Sequence, residues 1–465
     1  MQHDEPAQAS ITQPMASPDN DGLSSSQRWL VLAAAFLGWM FAGLEISLFV
    51  LISRPAVFDM LHLEVGQPNA ESLAGQWFAW YQCAFLLGAA AGGWLFGALG
   101  DRAGRTRALA LSILCYGLVT GLSYFATDPT GLLALRFIAC LGIGGAWPSA
   151  VSLAIEAVPN LPRPLLAGLL GAAANVGFVL LGLICCVVDI TPDAWRWTLV
   201  LAATPAALGA VVWFFVPESP RWLAGRASVE RPAAARPMRE MPVREILRPP
   251  LLQRTLIGIC LGGIPVIGTA ASANWLVPWA DQAASNHAQA KESRRPAADA
   301  TAERPIKSGD PKLKAWTQVT RSSGAVVGSL LGGWIASLVG RRFAYFLISL
   351  ASFGISSYIF QALNPLDPSF KWFTFLFGFV GVTYFGWLPL YLPELFPTHV
   401  RSTGTGVTFN SGRILAAMSV LGAGVLMRAF DGDYARVGTF TGMIYVLGMV
   451  VICFAPDTTK LRLED

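Results

Sequence analysis

Glu45, Arg321 and Arg413 are charged side chains that stand inside long apolar stretches of the sequence. A charge at the centre of a membrane-spanning helix costs about 2.5 kcal/mol or more, so each of them needs a functional or structural reason. Burial favours the neutral form of a carboxyl group, which suits Glu45 to binding and releasing a proton. The alternative for Glu45 is a permanent ion pair with a neighbouring arginine.

The two arginines offer a different chemistry. A guanidinium group is planar, always charged and shaped to hold a carboxylate through two parallel hydrogen bonds. Arg413 lies in the middle of its apolar stretch and Arg321 in the first third of another, so both are candidates for binding an anion. Alternatively, Arg413 is a partner for Glu45 or for a polar backbone group, and Arg321 extends to the membrane surface.

Polar and aromatic residues in the same stretches are candidates for lining a cavity between helices. They are Trp80, Tyr81, Gln82, Trp147, Asn175, Asn274, Trp275, Tyr384, Trp387 and Asn410. Most aromatic side chains of membrane helices pack or anchor at the interface, so only a minority should touch a ligand. We assign substrate contacts to Gln82, Asn274, Trp275, Trp387 and Asn410, beside the two arginines.

The composition indicates that the lipid bilayer is the solvent of this chain. Of 465 residues, 54% are hydrophobic and 13% are charged, whereas soluble domains have roughly 25% charged residues. This excludes a disordered chain, a collagen, a coiled coil and a secreted disulfide scaffold. Apolar stretches of about 20 residues, the length of a transmembrane helix, recur along nearly the whole sequence.

We therefore expect an all-α membrane protein with 12 transmembrane helices in two bundles of six. The expected helices are 28–52, 77–99, 107–126, 131–155, 165–188 and 196–216, then 255–280, 315–338, 343–363, 372–393, 402–427 and 437–456. The expected domains are an N-terminal tail (1–27), a first bundle (28–216), a linker (217–254), a second bundle (255–456) and a C-terminal tail (457–465).

The linker 217–254 predicts the orientation in the membrane. It holds eight arginines against four glutamates, an excess equal to the formal net charge of the chain, +4. By the positive-inside rule the linker and both tails are cytoplasmic. The loop 281–314 is also basic, but its charges are mixed, and the helix count places it outside. The linker lacks interleaved aromatic residues, so we expect no nucleic-acid partner.

An internal repeat relates the two expected bundles. Residues 156–163 (EAVPNLPR) match residues 394–401 (ELFPTHVR) at Glu, Pro and Arg, an offset of 238 (394 minus 156). Residues 97–105 match residues 333–341 at an offset of 236 (333 minus 97). Parallel repeats of this size are typical of transporters in which two bundles rock about a site near the bilayer midplane.

Three motifs resemble those of the major facilitator superfamily of transporters. Residues 97–107 (GALGDRAGRTR) resemble its cytoplasmic loop motif, and residues 136–145 (RFIACLGIGG) resemble its fourth-helix motif. Residues 217–223 (PESPRWL) are similar to a motif of the sugar-porter and organic-ion branches. The resemblance covers the chain from residue 28 onward and implies transport by alternating access.

The resemblance also implies roles for individual residues. Glu45 is similar by position to the first-helix acid of sialate, lactate and aromatic-acid proton symporters. Arg413 and Arg321 are similar to arginines of organic-anion and monocarboxylate transporters. Charged residues at cytoplasmic helix ends would hold the bundles together when the protein is open outward, or would only set topology. These gating candidates are Asp101, Arg102, Arg105, Arg136, Glu156, Arg163, Glu394 and Arg401.

Three departures from the superfamily pattern narrow the interpretation. Ser337 stands where Asp101 stands in the first half, Cys140 replaces a motif glycine, and the seventh helix lacks the glutamine pair of sugar porters. The departures make a hexose a poorer candidate. The sequence has no P-loop, and the expected helices contain no metal-ligand cluster and no histidine, so we expect no enzyme, cofactor or metal.

We therefore expect a monomeric secondary transporter of the plasma (inner) membrane. Its cargo would be a small organic anion, a carboxylate, moved with a proton bound at Glu45. The alternatives are a porter of a sugar or another neutral solute, and a transporter-like sensor that moves no solute.

Overall fold

The computed structural model of the chain describes residues 23–158, 163–220, 222–223, 242–293, 312–397 and 400–458. The first half consists of α1 (Ser25–Met60), α2 (Ala70–Ala103), α3 (Arg105–Leu122), α4 (Pro129–Ala157), α5 (Arg163–Val187), α6 (Trp197–Ala203) and α7 (Pro205–Phe215). A short helix, α8 (Pro242–Ile246), lies in the linker. The second half consists of α9 (Leu251–Ala271), α10 (Leu276–Ser293), α11 (Lys312–Val339), α12 (Arg341–Ala362), α13 (Pro368–Glu394), α14 (Arg401–Ala429), α15 (Tyr434–Gly442) and α16 (Ile444–Phe454). Short 3₁₀ turns cover Ser123–Phe125 and Ala273–Trp275.

This architecture confirms the expected all-α membrane fold. Within the described ranges, eleven helical stretches are long and apolar enough to cross a membrane. The helix α11, with 28 residues, packs between α5 and α13 and supplies the twelfth. The helices α6 and α7 share one of these stretches, as do α15 and α16.

The seventh span differs from the expectation of a helix over 255–280. The helix α9, the 3₁₀ turn and α10 run on from Leu251 to Ser293, so the start of the expected loop 281–314 is helical. The reason is that polar side chains of α10 find partners in the first half. Asp281 and Ser285, for example, both accept hydrogen bonds from Arg54.

Side-chain caps fix where several helices begin. At α1, Ser24 and Gln27 form a capping box, each side chain bonding the other's backbone N–H. At α4, Asp128 accepts hydrogen bonds from the backbone N–H groups of Thr130 and Gly131. Such caps satisfy backbone donors that a helix leaves free at its N-terminus.

The two halves reproduce the sequence repeat in their packing. A Cβ added to Gly92 on α2 would lie 1.9 Å from the carbonyl oxygen of Leu141 on α4, and one added to Gly328 on α11 would lie 2.3 Å from that of Phe379 on α13. The glycines are 236 positions apart (328 minus 92) and their partners 238 (379 minus 141). Small residues let membrane helices approach closely, so equivalent helix pairs meet at equivalent contacts.

The bundle has two ends. We call the end that carries the α2–α3 junction and α8 the linker end, where the described residues of the linker and of the α13–α14 connection also lie. The opposite end, which carries residues 61–69 and 430–433, is the far end. The halves meet along two seams, α2 against α14 and α5 against α11.

Candidate functional site

The carboxyl group of Glu45 is completely buried in the first half. Its Oε2 accepts a hydrogen bond of 2.9 Å from the hydroxyl of Thr120. Its Oε1 has no hydrogen-bond partner among the described residues. A buried group of this kind is strongly unfavourable when charged and unpaired, so this surrounding suits the neutral acid.

Arg136 lies beside Glu45, and its predicted place at the linker end is wrong. Its side chain is 1% exposed, and its Nη1 donates to the backbone carbonyl of Glu45 at 3.1 Å. The guanidinium also lies over the rings of Phe49, at 4.2 Å, and Phe85, at 5.8 Å. The helix α4 starts at the far end, so Arg136 stands about 30 Å from Glu156, 20 residues (156 minus 136) further along the same helix.

Arg321 is buried in the second half, with 5% of its surface exposed. Its Nη1 donates to the Asn274 amide oxygen at 2.9 Å and its Nη2 to that of Gln318 at 3.3 Å. The guanidinium lies 5.9 Å from the ring of Phe178 in the first half. Both hydrogen-bond acceptors are neutral, and the described residues give Arg321 no carboxylate partner. The side chain does not extend to the membrane surface.

Arg413 reaches across one seam between the halves. Its Nη1 donates to the backbone carbonyl of Ala89 on α2 at 3.3 Å, and its guanidinium lies 5.1 Å from the ring of Phe409. Of the alternatives for Arg413, the structure shows the backbone contact. Glu45 bonds Thr120 instead.

The other substrate candidates fall into different places. Asn274 is 4% exposed and holds Arg321. Gln82 is 3% exposed, and Asn410 lies partly buried on α14, one turn before Arg413. Trp275 is fully buried and packs edge-on against Phe78 of α2, with ring centroids 5.1 Å apart, so it closes the space between the halves.

Trp387 lies in the core of the second half. It is fully buried, its ring stacks on Tyr391 at 4.4 Å, and its Nε1 donates to the Arg341 carbonyl at 2.8 Å. Its assignment to the substrate site is therefore corrected. Tryptophans in membrane-spanning helices more often pack or anchor at the interface than bind a ligand, and Trp387 packs.

Equivalent ion pairs hold the linker end of each half. Arg105 bonds Asp101, and its Nε lies 3.5 Å from Glu156. In the second half, Nη2 of Arg341 lies 3.1 Å from Glu394. The arginines are 236 positions apart (341 minus 105) and the glutamates 238 (394 minus 156). Each of these pairs joins groups of the same half.

Three other gating candidates remain less informative. Arg102 is exposed near the end of α2, and Arg401 is partly buried at the start of α14. Arg163 is the first residue of α5, and its side chain lies outside the described part of the chain, as does that of Ser337.

A buried charge network at the far end was missed by the sequence reasoning. Arg54 donates to Glu71 at 2.5 and 3.0 Å and to Asp281 at 2.9 Å. Lys314 lies 3.0 Å from the second oxygen of Asp281. Arg54 lies just beyond an expected helix, and the other three fall in expected loops. Their partners are separated by up to 227 residues, so spacing could not reveal them.

The far end of the bundle is closed. Besides the charge network, Gln289 of α10 donates to the Val65 carbonyl at 3.1 Å, and Arg428 of α14 donates to Gln76 of α2 at 2.5 Å. These contacts join the two halves, whereas the ion pairs described at the linker end join groups within one half. The described contacts therefore close the bundle at the far end.

Relatives of known name resemble the chain over most of its length. Residues 30–242 match the family model described as sugar (and other) transporter. The putative niacin/nicotinamide transporter NiaP of Bacillus subtilis is 26% identical over 94% of this chain and 98% of its own length. The cis,cis-muconate transport protein of Acinetobacter baylyi is 26% identical over 86% of this chain and 88% of its own.

A solved structure shows the same fold. The partially occluded inward open conformation of the xylose transporter XylE from E. coli gives a TM-score of 0.66 at 17% identity, covering 94% of this chain and 100% of that one. Fold, repeat and relatives together define a multi-pass membrane transporter and not an enzyme. These findings support a transporter of the major facilitator superfamily.

Proposed function

We propose that this transporter carries a small organic anion, a carboxylate, together with a proton, by alternating access. The observation that supports the cargo is the state of Arg321: a buried cation held by two neutral amides. Removing a cation from water is costly unless an anion compensates it. A bound carboxylate would supply that anion, and the guanidinium fork would orient it.

The surroundings of Arg321 suit a flat, conjugated acid. Phe178 faces its guanidinium from the first half at 5.9 Å, and Asn274 and Gln318 can donate amide N–H groups to ligand oxygens. Arg413, across the seam, adds a second positive charge. The names of two relatives include such acids: niacin, printed beside its neutral amide nicotinamide, and cis,cis-muconate are unsaturated carboxylic acids.

Glu45 would carry the proton. With neutral Glu45, Arg136 bonds the backbone carbonyl, as observed. On loss of the proton, the carboxylate would draw the adjacent guanidinium to itself, because opposite charges in a low-dielectric interior attract strongly. Arg136 is then the arginine that responds when Glu45 loses its proton. One proton and one monocarboxylate together carry no net charge across the membrane.

Uptake into proteoliposomes tests this proposal. A panel of radiolabelled monocarboxylates, aromatic acids, sialic acid and hexoses is offered with and without an inward proton gradient. We expect gradient-driven uptake of an acid that Arg321→Ala strongly reduces. The control is Arg436→Ala, which removes an arginine whose side chain is 69% exposed, and it should transport like the wild type.

Two results would overturn the proposal. Uptake of a hexose alone would move the protein to the neutral-solute alternative that the family description allows. Acid uptake at the same rate with and without the proton gradient would show that the anion is transported without a coupled proton.

A further inference from the structure

Four charged side chains of alternating sign form a chain at the far end, three of them buried and Glu71 partly buried: Glu71, Arg54, Asp281 and Lys314. Arg54 is 6% exposed, Asp281 7% and Lys314 3%, and the side chain of Glu71 is 17% exposed. The guanidinium of Arg54 also lies 4.5 Å from the ring of Phe58. Salt screens buried pairs of this kind far less than surface pairs.

The chain of charges divides evenly between the two halves. Glu71 and Arg54 belong to α2 and α1, and Asp281 and Lys314 belong to α10 and α11. Each half therefore owns one acid and one base already in contact, at 2.5 Å and 3.0 Å. Within this chain of charges, the contacts that cross between the halves are those of Arg54 with Asp281, at 2.9 Å, and with Ser285, at 3.3 Å.

We propose that these four residues form a charge-balanced latch that closes the far end during transport. Opening the far end breaks the Arg54–Asp281 contact, but each charge keeps a partner in its own half. A buried charge left without any partner is strongly unfavourable. The within-half partners, Glu71 and Lys314, thus make opening possible, while Arg54 and Asp281 keep the end closed.

This division predicts opposite effects for single and double variants. In Glu71→Gln, opening would leave Arg54 without a charged partner, so the far end should open less often. Lys314→Gln should act in the same direction, because opening would leave Asp281 bare. In Arg54→Gln with Glu71→Gln, the crossing ion pair is gone and Asp281 keeps Lys314, so the far end should open more often.

Alkylation of a buried thiol measures how often the far end opens. Ala79 on α2 is 1% exposed and packs against Gly424 of α14, about 14 Å along α2 from its far-end start, nine residues away. The full-length protein with Ala79→Cys, its seven native cysteines replaced, is placed in nanodiscs without substrate. The rate of reaction with a charged maleimide is then proportional to the open population.

We expect the double variant Arg54→Gln, Glu71→Gln to react at least about tenfold faster than the parent, which corresponds to about 1.4 kcal/mol. Glu71→Gln and Lys314→Gln should each react several-fold more slowly. The matched control is Arg436→Gln, which removes an exposed ion pair with Asp433 inside the second half and should leave the rate unchanged.

Two outcomes would overturn the latch. Faster reaction in Glu71→Gln or Lys314→Gln would show that the network only stabilises packing, and an unchanged rate in the double variant would show that Arg54 does not hold the end closed. If the double variant does not fold, the two single variants decide alone. The readout needs no substrate, so its result leaves the proposed cargo untouched.

Discussion

The replacement of Arg321 by alanine is the most direct test of how the transporter holds its cargo. In the structure, this guanidinium bonds two amide oxygens, of Asn274 and Gln318, at 2.9 and 3.3 Å. A bound carboxylate would accept the hydrogen bonds of the Arg321 guanidinium in place of the two amide oxygens. Arg321→Ala removes the fork, and Arg321→Lys keeps the charge without the planar geometry.

The expected magnitude follows from the bonds exchanged. Hydrogen bonds to charged groups contribute about 1.5–3 kcal/mol each. A carboxylate gains two of them from Arg321, but release of the two amides offsets about one. The net loss in Arg321→Ala is then about 1.5–3 kcal/mol, or about 10- to 150-fold in affinity. Arg321→Lys should lie between the wild type and the alanine variant.

A comparison of an acid with its own amide isolates the charge. The dissociation constants of a transported acid and of the corresponding neutral amide are measured on purified protein, for example by competition with a radiolabelled ligand. We expect Arg321→Ala to lose affinity for the acid and to bind the amide nearly as before. The reasoning is refuted if a folded, monodisperse variant binds the acid within threefold of the wild type, or if acid and amide weaken equally.

Three further substitutions address the proton, the packing and the linker end. Glu45→Gln should abolish proton-driven accumulation, flatten the rise of uptake toward low external pH and leave acid-for-acid exchange intact, as counterflow assays would show. Gly177→Ala should lower the melting temperature by the equivalent of about 1–3 kcal/mol, because its Cβ would lie 1.9 Å from a backbone oxygen of α1. Gly171→Ala, with no atom within 4 Å of its Cβ, is the control and should melt like the wild type. Glu394→Gln should slow exchange without changing KM more than twofold, and an unchanged rate would limit this glutamate to topology.

The sequence predicted the helices well because bilayer thickness imposes a length on them that composition reveals. It also singled out Glu45, Arg321 and Asn274, because an uncompensated polar group in an apolar stretch is rare. These three residues lie buried in the structure, although their roles in transport stay predictions.

The predictions from the sequence failed where a residue's position depends on the direction of its helix or on contacts with residues far away in the sequence. Arg136 was placed at the linker end because it is the first residue of a motif. The helix α4 starts at the far end, however, so its early residue Arg136 lies away from the linker end. Trp387 was read as a cavity residue because its type alone cannot distinguish stacking on Tyr391 from contact with a ligand. Arg54 and Asp281 were missed because their contact depends on how two halves of the chain close.

The repeated packing contacts have a consequence for the origin of the site. The contacts of Gly92 and Gly328 fix a register between the halves, as a duplicated ancestral bundle would leave behind. In that register Arg136 corresponds to Thr374 (374 minus 136 is 238) and Thr120 to Ser356 (356 minus 120 is 236). Thr374 and Ser356 are uncharged and buried.

In the same register, the two arginines of the second half correspond to uncharged residues of the first half. Arg321 corresponds to Phe85 (321 minus 85 is 236), and Arg413 corresponds to Asn175 (413 minus 175 is 238). Under the proposed function, the two halves have taken on different roles in transport. In that proposal the first half supplies the acid that binds the proton, and the second half supplies the arginines that bind the anion, so proton site and anion site lie in different copies of the repeat.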